Sequence, residues 1–400
     1  MKRLLLLVLS ALCLTGCHCL EREIRERQVV LVYFAGNNSL APEGEDDYEL
    51  LKNAWLPRAK EKEKIVLVYH HFLDQTPVLL RLCQDRKGNI VEEIIMEYPY
   101  STNSASAETL STVLADAKEA WPAAHNGLIL WSHASGFLPP GYYINPKEQA
   151  KVRTEESAGL PETDPYAHMV KSGDVKSFGE DHGDEMELGD LRKALSGTHF
   201  DYIVFDCCLM ANVEVAYELR NCGDYLVFSP TEILSDGFPY ESMIQPLFSL
   251  QPEEAMKNVC RSYMALYRAQ TGVYCSATIS LVRTADLPAL AAACKPVFQN
   301  HQEQILTIDR SGIQPYFRYN KHWFYDLDDF VGRVATDSEY QAFHNALERT
   351  VIFKDATDAF LSIDITHYSG LSSYIPRPEY TVLNNYYKTL EWNRATGLVN

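Results

Sequence analysis

Short apolar runs alternate along the chain with segments whose apolar residues recur at helical spacing. The runs are rich in β-branched and aromatic residues, which predicts buried strands. They lie at residues 29–34, 65–69, 127–131, 202–205 and 225–229. Residues 107–121 predict a helix, with Ser106 as its N-cap and Pro122 just past its end. Strands that alternate with helices in this way predict an α/β fold, with a mostly parallel sheet flanked by helices on both faces.

The rest of the pattern adds an edge and a second half to this sheet. Residues 79–82 and 90–96 predict a hairpin beside the second strand. Further elements are predicted at residues 212–220 (helix), 252–268 (helix), 277–282 (strand) and 287–300 (helix). No linker pattern precedes the last part of the chain. We therefore interpret residues 28–250 as the core of the fold and residues 251–400 as an α/β extension of the same fold.

The amino end has the pattern of an export signal. Lys2 and Arg3 precede an apolar run at residues 4–12 that is too short to span a bilayer. The run ends in Leu-Thr-Gly-Cys, which resembles a bacterial lipobox that closes at Cys17. We interpret residues 1–16 as a lipoprotein signal peptide, and residues 17–27 as a spacer after a lipidated cysteine. The alternative is ordinary signal cleavage near Cys19, which would give a soluble product.

The charge balance excludes one class of partner. The chain has a formal net charge of −18, and removal of residues 1–16, which carry two basic and no acidic residues, lowers it to −20. Such a surface cannot hold nucleic acid through the release of counterions. We expect an exported protein of the cell envelope, attached to a membrane through its lipid anchor and without a nucleic-acid partner.

Two predicted strands stop at chemically unusual residues. Trp131-Ser132-His133 ends one strand, and the segment 205–208 ends another in Asp-Cys-Cys. Ligands collect at the carboxyl ends of parallel strands, and an imidazole or a helix N-terminus favours a thiolate. Because strand residues alternate between faces, Cys208 is the better nucleophile and Cys207 the better core residue. The spacing alone leaves a catalytic pair and two structural residues equally open.

A long polar segment lies between these two strand ends. Residues 138–184 are rich in glycine and proline and show little periodicity. A segment of this length without regular structure is uncommon inside a compact domain, and it is usually functional or disordered.

The two strand ends carry the resemblance to a known family. Residues 128–136, Leu-Ile-Leu-Trp-Ser-His-Ala-Ser-Gly, resemble the WSHGSG segment of clostripain-type cysteine peptidases. Residues 205–219 resemble that family's FDACLM segment and the EVAYEL segment that follows it. Further similarities lie at residues 34–38, 229–232, 236–240 and 370–376. The similar segments span most of the chain beyond the signal region.

The resemblance implies a caspase-like fold, shared with gingipains and legumains, and cleavage of peptides after Arg or Lys. Carried over by position, His133 is the general acid and base and Cys208 is the nucleophile. The backbone amides of Ala134 and Cys208 would form the oxyanion hole. Asp206 and Asp236 are assigned to the pocket for the basic side chain, the S1 pocket, although Asp236 also suits a plain turn.

The sequence departs from the family pattern at two positions. Ala134 replaces the usual Gly, which adds a methyl group where the backbone approaches substrate. Cys207 replaces Ala or Ser, a small change. The resemblance also implies activation by cleavage between the two motifs, and Lys147, Lys151 and Arg153 are the candidate processing residues. No cofactor is required by this chemistry, whereas some relatives depend on calcium, so calcium dependence stays open.

Three other functions compete with this interpretation. A lipid-anchored surface protein that binds peptides or glycans with weak or no turnover would fit the alanine at position 134. A serine hydrolase would need a GxSxG turn after a strand, and the sequence contains none. A zinc peptidase would need an HExxH segment, which is also missing, and the adjacent His70 and His71 face opposite ways on a strand.

Overall fold

The computed structural model describes residues 22–139, 169, 178–318 and 323–400. Its strands, in chain order, are β1 (Gln28–Gly36), β2 (Lys64–Phe72), β3 (Val78–Gln84), β4 (Ile90–Glu97), β5 (His125–Trp131), β6 (Phe178–Asp181), β7 (Asp184–Met186), β8 (Tyr202–Asp206), β9 (Tyr225–Phe228), β10 (Thr278–Arg283), β11 (Tyr325–Asp326), β12 (Val351–Ala356), β13 (Ala359–Phe360), β14 (Ile363–Asp364) and β15 (Ser372–Ser373).

The helices flank these strands, after a single helical turn at residues 22–26. They are α1 (Ala41–Asn53), α2 (Ala107–Ala120), α3 (Leu188–Leu195), α4 (Val213–Glu218), α5 (Tyr240–Leu247), α6 (Pro252–Arg268), α7 (Leu287–Asn300), α8 (Gln302–Thr307), α9 (Leu327–Gly332), α10 (Asp337–Thr350), α11 (Thr381–Tyr387) and α12 (Glu391–Thr396), with 3-10 turns at Gly272–Tyr274 and Thr284–Asp286. None of the helices in the described ranges has the length and apolar character needed to cross a membrane.

Nine strands form one sheet in the order β12-β10-β9-β8-β5-β1-β2-β3-β4. The five central strands, β9, β8, β5, β1 and β2, run parallel, and antiparallel strands extend both edges. The predicted α/β fold with a mostly parallel sheet is therefore confirmed. The predicted hairpin is also confirmed, since β3 and β4 pair antiparallel next to β2.

Helices cover both faces of the sheet, so its central strands are apolar on both sides. All nine residues of β1 are buried. Leu31 and Tyr33 pack on one face, and Val30 and Val32 pack on the other. This two-sided burial explains why the central strands are continuous apolar runs without alternation.

The helix caps follow the sequence closely where the sequence supplies a capping side chain. Helix α2 begins after Ser106, whose hydroxyl accepts a hydrogen bond from the backbone N–H of Thr109 at 3.1 Å. Pro122 follows two residues after the helix ends. The predicted helix, its N-cap and its end are confirmed.

The last third of the chain shares the main sheet. Strands β10 and β12 form its far edge, beyond β9. The short strand β15 pairs with β11 and also reaches the segment after β8, since Ser372 N donates to Ala211 O at 2.9 Å. The residues beyond 250 therefore contact the segment that carries the candidate nucleophile.

One region differs from the sequence prediction. The interval 138–184 was expected to lack regular structure, but its end forms the hairpin β6–β7. This hairpin has strands of four and three residues, with Gly179 and Gly183 in positive-φ conformations. Strands this short contain too few residues to show a periodic pattern, so the prediction was wrong there.

Candidate active site

The two candidate catalytic residues follow neighbouring strands. Strands β5 and β8 pair in parallel, and their last residues, Trp131 and Asp206, are register partners. His133 and Cys208 each come two residues after these partners. The fold therefore brings both residues to the same edge of the sheet, at the carboxyl ends of the strands, where parallel sheets collect their ligands.

The loops that carry these residues are in contact. Gly136, in the loop after His133, has φ +68°, and a Cβ added there would lie 2.6 Å from the carbonyl oxygen of Leu209. The same carbonyl oxygen accepts a hydrogen bond from the side-chain amide of Asn212 at 2.6 Å. Only glycine fits both the left-handed backbone and the close approach, so the final glycine of the first motif is required by the second motif.

The thiol of Cys208 accepts a hydrogen bond from the backbone. The N–H of Ile233 lies 3.3 Å from Cys208 Sγ. The carbonyl oxygen of the same residue lies 3.9 Å from Sγ, so the contacts with Ile233 suit both the thiol and the thiolate. The neighbouring thiol serves a different purpose: Cys207 is buried, and its Sγ lies 3.3 Å from Leu130 O, within the core.

The segment that supplies this donor is held by the two residues before Ile233. Thr231 O accepts the backbone N–H of Leu209 at 2.9 Å. The carboxylate of Glu232, fully buried, accepts two hydrogen bonds from the guanidinium of Arg318, one of them at 2.8 Å from Nη2. Because the two residues that precede Ile233 are fixed, its N–H is pre-positioned.

Both candidate residues are closed off from solvent. The exposed fraction is 0% for Cys208 and 1% for His133. Reactive cysteines ordinarily lie in partly exposed positions, and Cys208 does not. A peptide substrate can reach this thiol only after some part of the surrounding structure moves.

His133 is held through its ring and its backbone. Its Nε2 lies 3.0 Å from the hydroxyl of Ser39, in the turn after β1. Its carbonyl oxygen accepts the N–H of Gly179 at 3.0 Å, and Ala134 forms a β-bridge with Phe178. The hairpin β6–β7 and the turn after β1 therefore fix the loop of the candidate general base.

A buried carboxylate joins these two supports. Asp181, on the hairpin, accepts hydrogen bonds from Asn37 Nδ2 at 2.8 Å and from Ser104 N at 2.6 Å. Burial raises the pKa of Asp181, but nearby His71 and the Ser104 donors outweigh it and hold the pKa below its ordinary value. Asp181 is therefore ionised at neutral pH, and it ties the hairpin to the end of β1.

The residues assigned to the basic-residue pocket lie at or behind an acidic cavity. This cavity has a volume of about 540 Å³ and is lined in part by Asp236 and Tyr240. Five carboxylates line it: Glu43, Asp46, Asp47, Asp236 and Glu241. Asp206 is fully buried and lies behind Tyr240, whose hydroxyl donates to Asp206 Oδ2 at 3.0 Å. Burial, followed by the charge of Asp206, raises the pKa of Tyr240, so this phenol remains a donor.

Several assignments cannot be placed. Cys17 and the candidate processing residues Lys147, Lys151 and Arg153 lie outside the described residues. Among the residues that the structure describes, no group of three or more His, Cys, Asp or Glu side chains is arranged to hold a metal ion.

The sequence did not identify three contributors to the site. Ser39 carried no signal beyond its position after an asparagine-rich turn, and hydroxyl groups are common in turns. Gly179 and Ile233 act through backbone N–H groups, which every residue except proline possesses. Their roles are therefore visible only in three dimensions.

The comparisons with known proteins agree with this geometry. The model of the clostripain family matches residues 32–151 and 166–395. The structure of an inactive zymogen C11 protease from Parabacteroides distasonis has a TM-score of 0.75 and 30% sequence identity, and the match covers 92% of this chain and 97% of that chain.

A second solved structure is similar over the same extent. It is a secreted C11 cysteine protease from Bacteroides thetaiotaomicron in complex with an irreversible peptide inhibitor. The TM-score is 0.74 and the identity 27%, and the match covers 92% of this chain and 98% of that chain. Among curated proteins, none matches the chain.

Proposed function

This chain belongs to the clostripain family of cysteine-type endopeptidases, and on that premise we propose that it cuts peptide bonds after Arg or Lys with a His133–Cys208 dyad. One observation supports the dyad most strongly. The neighbouring strands β5 and β8 end in register at Trp131 and Asp206, and each candidate residue follows its strand end by two positions.

The chemistry follows from the positions of these residues. The thiolate of Cys208 attacks the carbonyl carbon of the scissile bond, and a C–S bond forms while the oxygen takes the negative charge. Backbone amides of Cys208 and Ala134 are the proposed donors to that oxygen. The imidazolium of His133 gives its proton to the leaving amine as the C–N bond breaks. A water molecule, activated by the neutral imidazole, then hydrolyses the thioester and restores the thiolate.

The preference for a basic side chain is supported by the charge of the cavity. Ser235 and Asp236 line it, and they lie within three residues of Ile233, whose N–H contacts Cys208 Sγ. The described lining includes five carboxylates and no basic residue. Of the five carboxylates, Asp236 lies nearest along the chain to that contact, so it is the proposed first partner of an Arg or Lys side chain. Asp206, behind Tyr240, would add its negative charge from a second layer.

We extend the proposal to activation and to the anchor. The full burial of Cys208 supports a closed precursor that is opened by cleavage within residues 138–184. Lys147, Lys151 and Arg153 are the proposed processing residues. Cys17 is the proposed lipidation site, which would place an exported enzyme on a membrane of the cell envelope. Incorporation of a labelled fatty acid that survives in Cys17→Ser would contradict the anchor.

The experiment that tests this function compares fluorogenic peptides with Arg, Lys, Asp or Leu before the cleaved bond. We expect turnover of the Arg and Lys peptides only, abolished in Cys208→Ala and retained in Cys207→Ala, since Cys207 packs in the core. Asp236 is exposed in the free protein, and a bound Arg side chain would cover it. Asp236→Asn should therefore lower kcat/KM for the Arg peptide at least about 30-fold, because removing one charge of a pair that binding buries costs about 2 kcal/mol or more.

Each outcome separates one part of the proposal from the rest. Glu241→Gln, in the same cavity, is the matched control for Asp236→Asn, and an equal loss there would show that only general negative charge matters. Cleavage after Asp or Leu would leave the dyad in place and overturn the pocket. If no peptide were cut, even after limited proteolysis, the chain would be better explained as a membrane-anchored protein that binds peptides or glycans.

A further inference from the structure

A third strand delivers a side chain to the candidate dyad. In the sheet, β5 lies between β8 and β1. Cys208 follows β8 and His133 follows β5, while Ser39 follows β1. The strand order therefore places the imidazole between a thiol loop on one side and a hydroxyl on the other. Ser39 Oγ lies 3.0 Å from His133 Nε2, which is hydrogen-bond distance.

The turn that holds this hydroxyl is fixed by the side chain of Asn38. The amide Nδ2 of Asn38 donates to Ala35 O at 3.0 Å and to Glu180 O at 2.8 Å. Its Oδ1 accepts the backbone N–H of Leu40 at 2.9 Å. One asparagine thus links the end of β1, the residue after Ser39 and the β6–β7 hairpin. Because these bonds already fix the turn, the Ser39 hydroxyl loses little further conformational entropy when it contacts the imidazole.

The same hairpin fixes the backbone of His133. Its Gly179 N–H donates to His133 O at 3.0 Å, and its Asp181 receives the amide of Asn37. The imidazole and the hydroxyl are therefore attached to one hydrogen-bonded body of structure. Ser39 itself is exposed, so the buried core does not require its side chain. Substitution of an exposed serine ordinarily changes stability very little.

We propose that Ser39 is a positioning residue for His133: its hydroxyl accepts the Nε2–H of the imidazolium and leaves Nδ1 for the thiol of Cys208. This inference rests on the proposed dyad. A thiolate–imidazolium pair needs a hydrogen-bond partner at each imidazole nitrogen, because both carry protons. Ser39 supplies the second partner, fixes the ring plane and stabilises the charged ring while the proton waits for the leaving amine.

The test measures turnover of an Arg peptide by the full chain with Ser39→Ala and Ser39→Thr from pH 5 to pH 10. Rates are normalised to titrated active sites, so that a defect in activation does not enter. We expect Ser39→Ala to lower kcat about 10- to 150-fold, the value of one hydrogen bond to a charged group, with KM within about twofold. Ser39→Thr keeps the hydroxyl and should restore most of kcat.

The pH profile distinguishes positioning from a merely structural role. Loss of an acceptor for the imidazolium makes the ring lose its proton at lower pH, so the alkaline limb of the bell-shaped profile of kcat/KM should move to lower pH. The acidic limb should stay in place, because the imidazole ring is charged both before and after the thiol ionises. Ser196→Ala is the matched control, because Ser196 is also exposed and bonds only a carbonyl at a helix end. It should leave kcat and the profile unchanged.

Two results would overturn the inference, and they differ from failure of the proposed dyad. The first is a Ser39→Ala enzyme with unchanged kcat and profile, while Cys208→Ala is inactive. The second is a loss of kcat with an unchanged profile and a lower unfolding temperature, which would show a structural role only. Persistent cleavage by Cys208→Ala would instead remove the dyad, and with it the basis for Ser39.

Discussion

At the scale of single residues, the turn after the nucleophile holds a strained backbone. Leu209 has φ +61°, a left-handed conformation that costs an L-residue about 1–2 kcal/mol. The strain is offset because its side chain is fully buried and its N–H reaches Thr231 O. Strain of this kind is maintained where the surrounding structure over-determines the chain, often at functional sites. Here it lies directly after Cys208, whose Sγ accepts the N–H of Ile233.

This strain predicts that Gly at position 209 gives a more stable protein than Ala does, which is the reverse of the order inside a helix. Leu209→Ala and Leu209→Gly both lose the buried leucine, at a cost of about 2–5 kcal/mol. Only Gly relieves the left-handed backbone, so we expect the Gly variant to be the more stable of the two by about 1 kcal/mol. Urea unfolding measures both. Leu191, fully buried within helix α3, is the control, and there Ala should be more stable than Gly. The same order at both positions would show that Leu209 stores no strain.

At the scale of elements, helix α4 is attached to the carboxyl-terminal part of the chain by one buried carboxylate. Glu214 Oε1 accepts the hydroxyls of Tyr387 at 2.5 Å and Ser373 at 3.0 Å, and the N–H of Tyr374 at 3.0 Å. Burial raises the pKa of Glu214, against the effect of these donors. The helix that follows the nucleophile is therefore held by a buried carboxyl group whose pKa is raised.

This attachment predicts a pH dependence of stability with a definite sign. The folded protein binds the Glu214 proton more tightly than the unfolded chain, so the free energy of unfolding falls as pH rises from the ordinary glutamate pKa to the raised one. One group contributes up to about 1.4 kcal/mol per pH unit in that window. Glu214→Gln mimics the protonated carboxyl, so its stability should fall less with pH. Denaturant unfolding from pH 4 to pH 8 measures the difference.

The contributions of the other buried acids cancel when the two proteins are compared. Burial also raises the pKa of Asp326, but Asp326 is present in both proteins and cancels in the difference. Glu119→Gln, an exposed glutamate on helix α2, should keep the pH dependence of the wild type. A Glu214→Gln protein with that same pH dependence would contradict the argument.

The elements also show what the sequence could predict. The strands β1, β5 and β8 and the helices α6 and α7 were predicted to within about two residues, because burial on two faces leaves a continuous apolar run and burial on one stripe leaves a helical period. The hairpin β6–β7 and the two-residue strands were not predicted, since they depend on distant partners. In the site, His133 and Cys208 have distinctive side chains and could be named. Ser39 and Ile233 could not, because their contributions come from long-range packing.

At the scale of the whole molecule, the sheet explains how a cut chain would stay together. Residues 22–139 supply β1 to β5, and residues 178–400 supply the strands from β6 onward. The two parts meet at the centre of the sheet, where β5 and β8 pair over five positions, and again where Gly179 binds His133. A cut between them would break the covalent link between neighbouring strands but leave their hydrogen bonds and buried faces in place.

This arrangement makes self-processing testable on the intact protein. We expect wild type to be cut after Lys147, Lys151 or Arg153 and the two fragments to co-elute in size exclusion, because the interface is a central strand pair of the sheet. Changing all three residues to Ala should leave a single chain with turnover at least about tenfold lower, since its buried Cys208 stays covered. Mass spectrometry locates the cuts.

Arg86→Ala/Lys87→Ala, an exposed basic pair beyond β3, is the control and should be processed normally. Cys208→Ala, purified alone, should remain whole, and clipping of that variant at the wild-type rate would assign the cut to another protease.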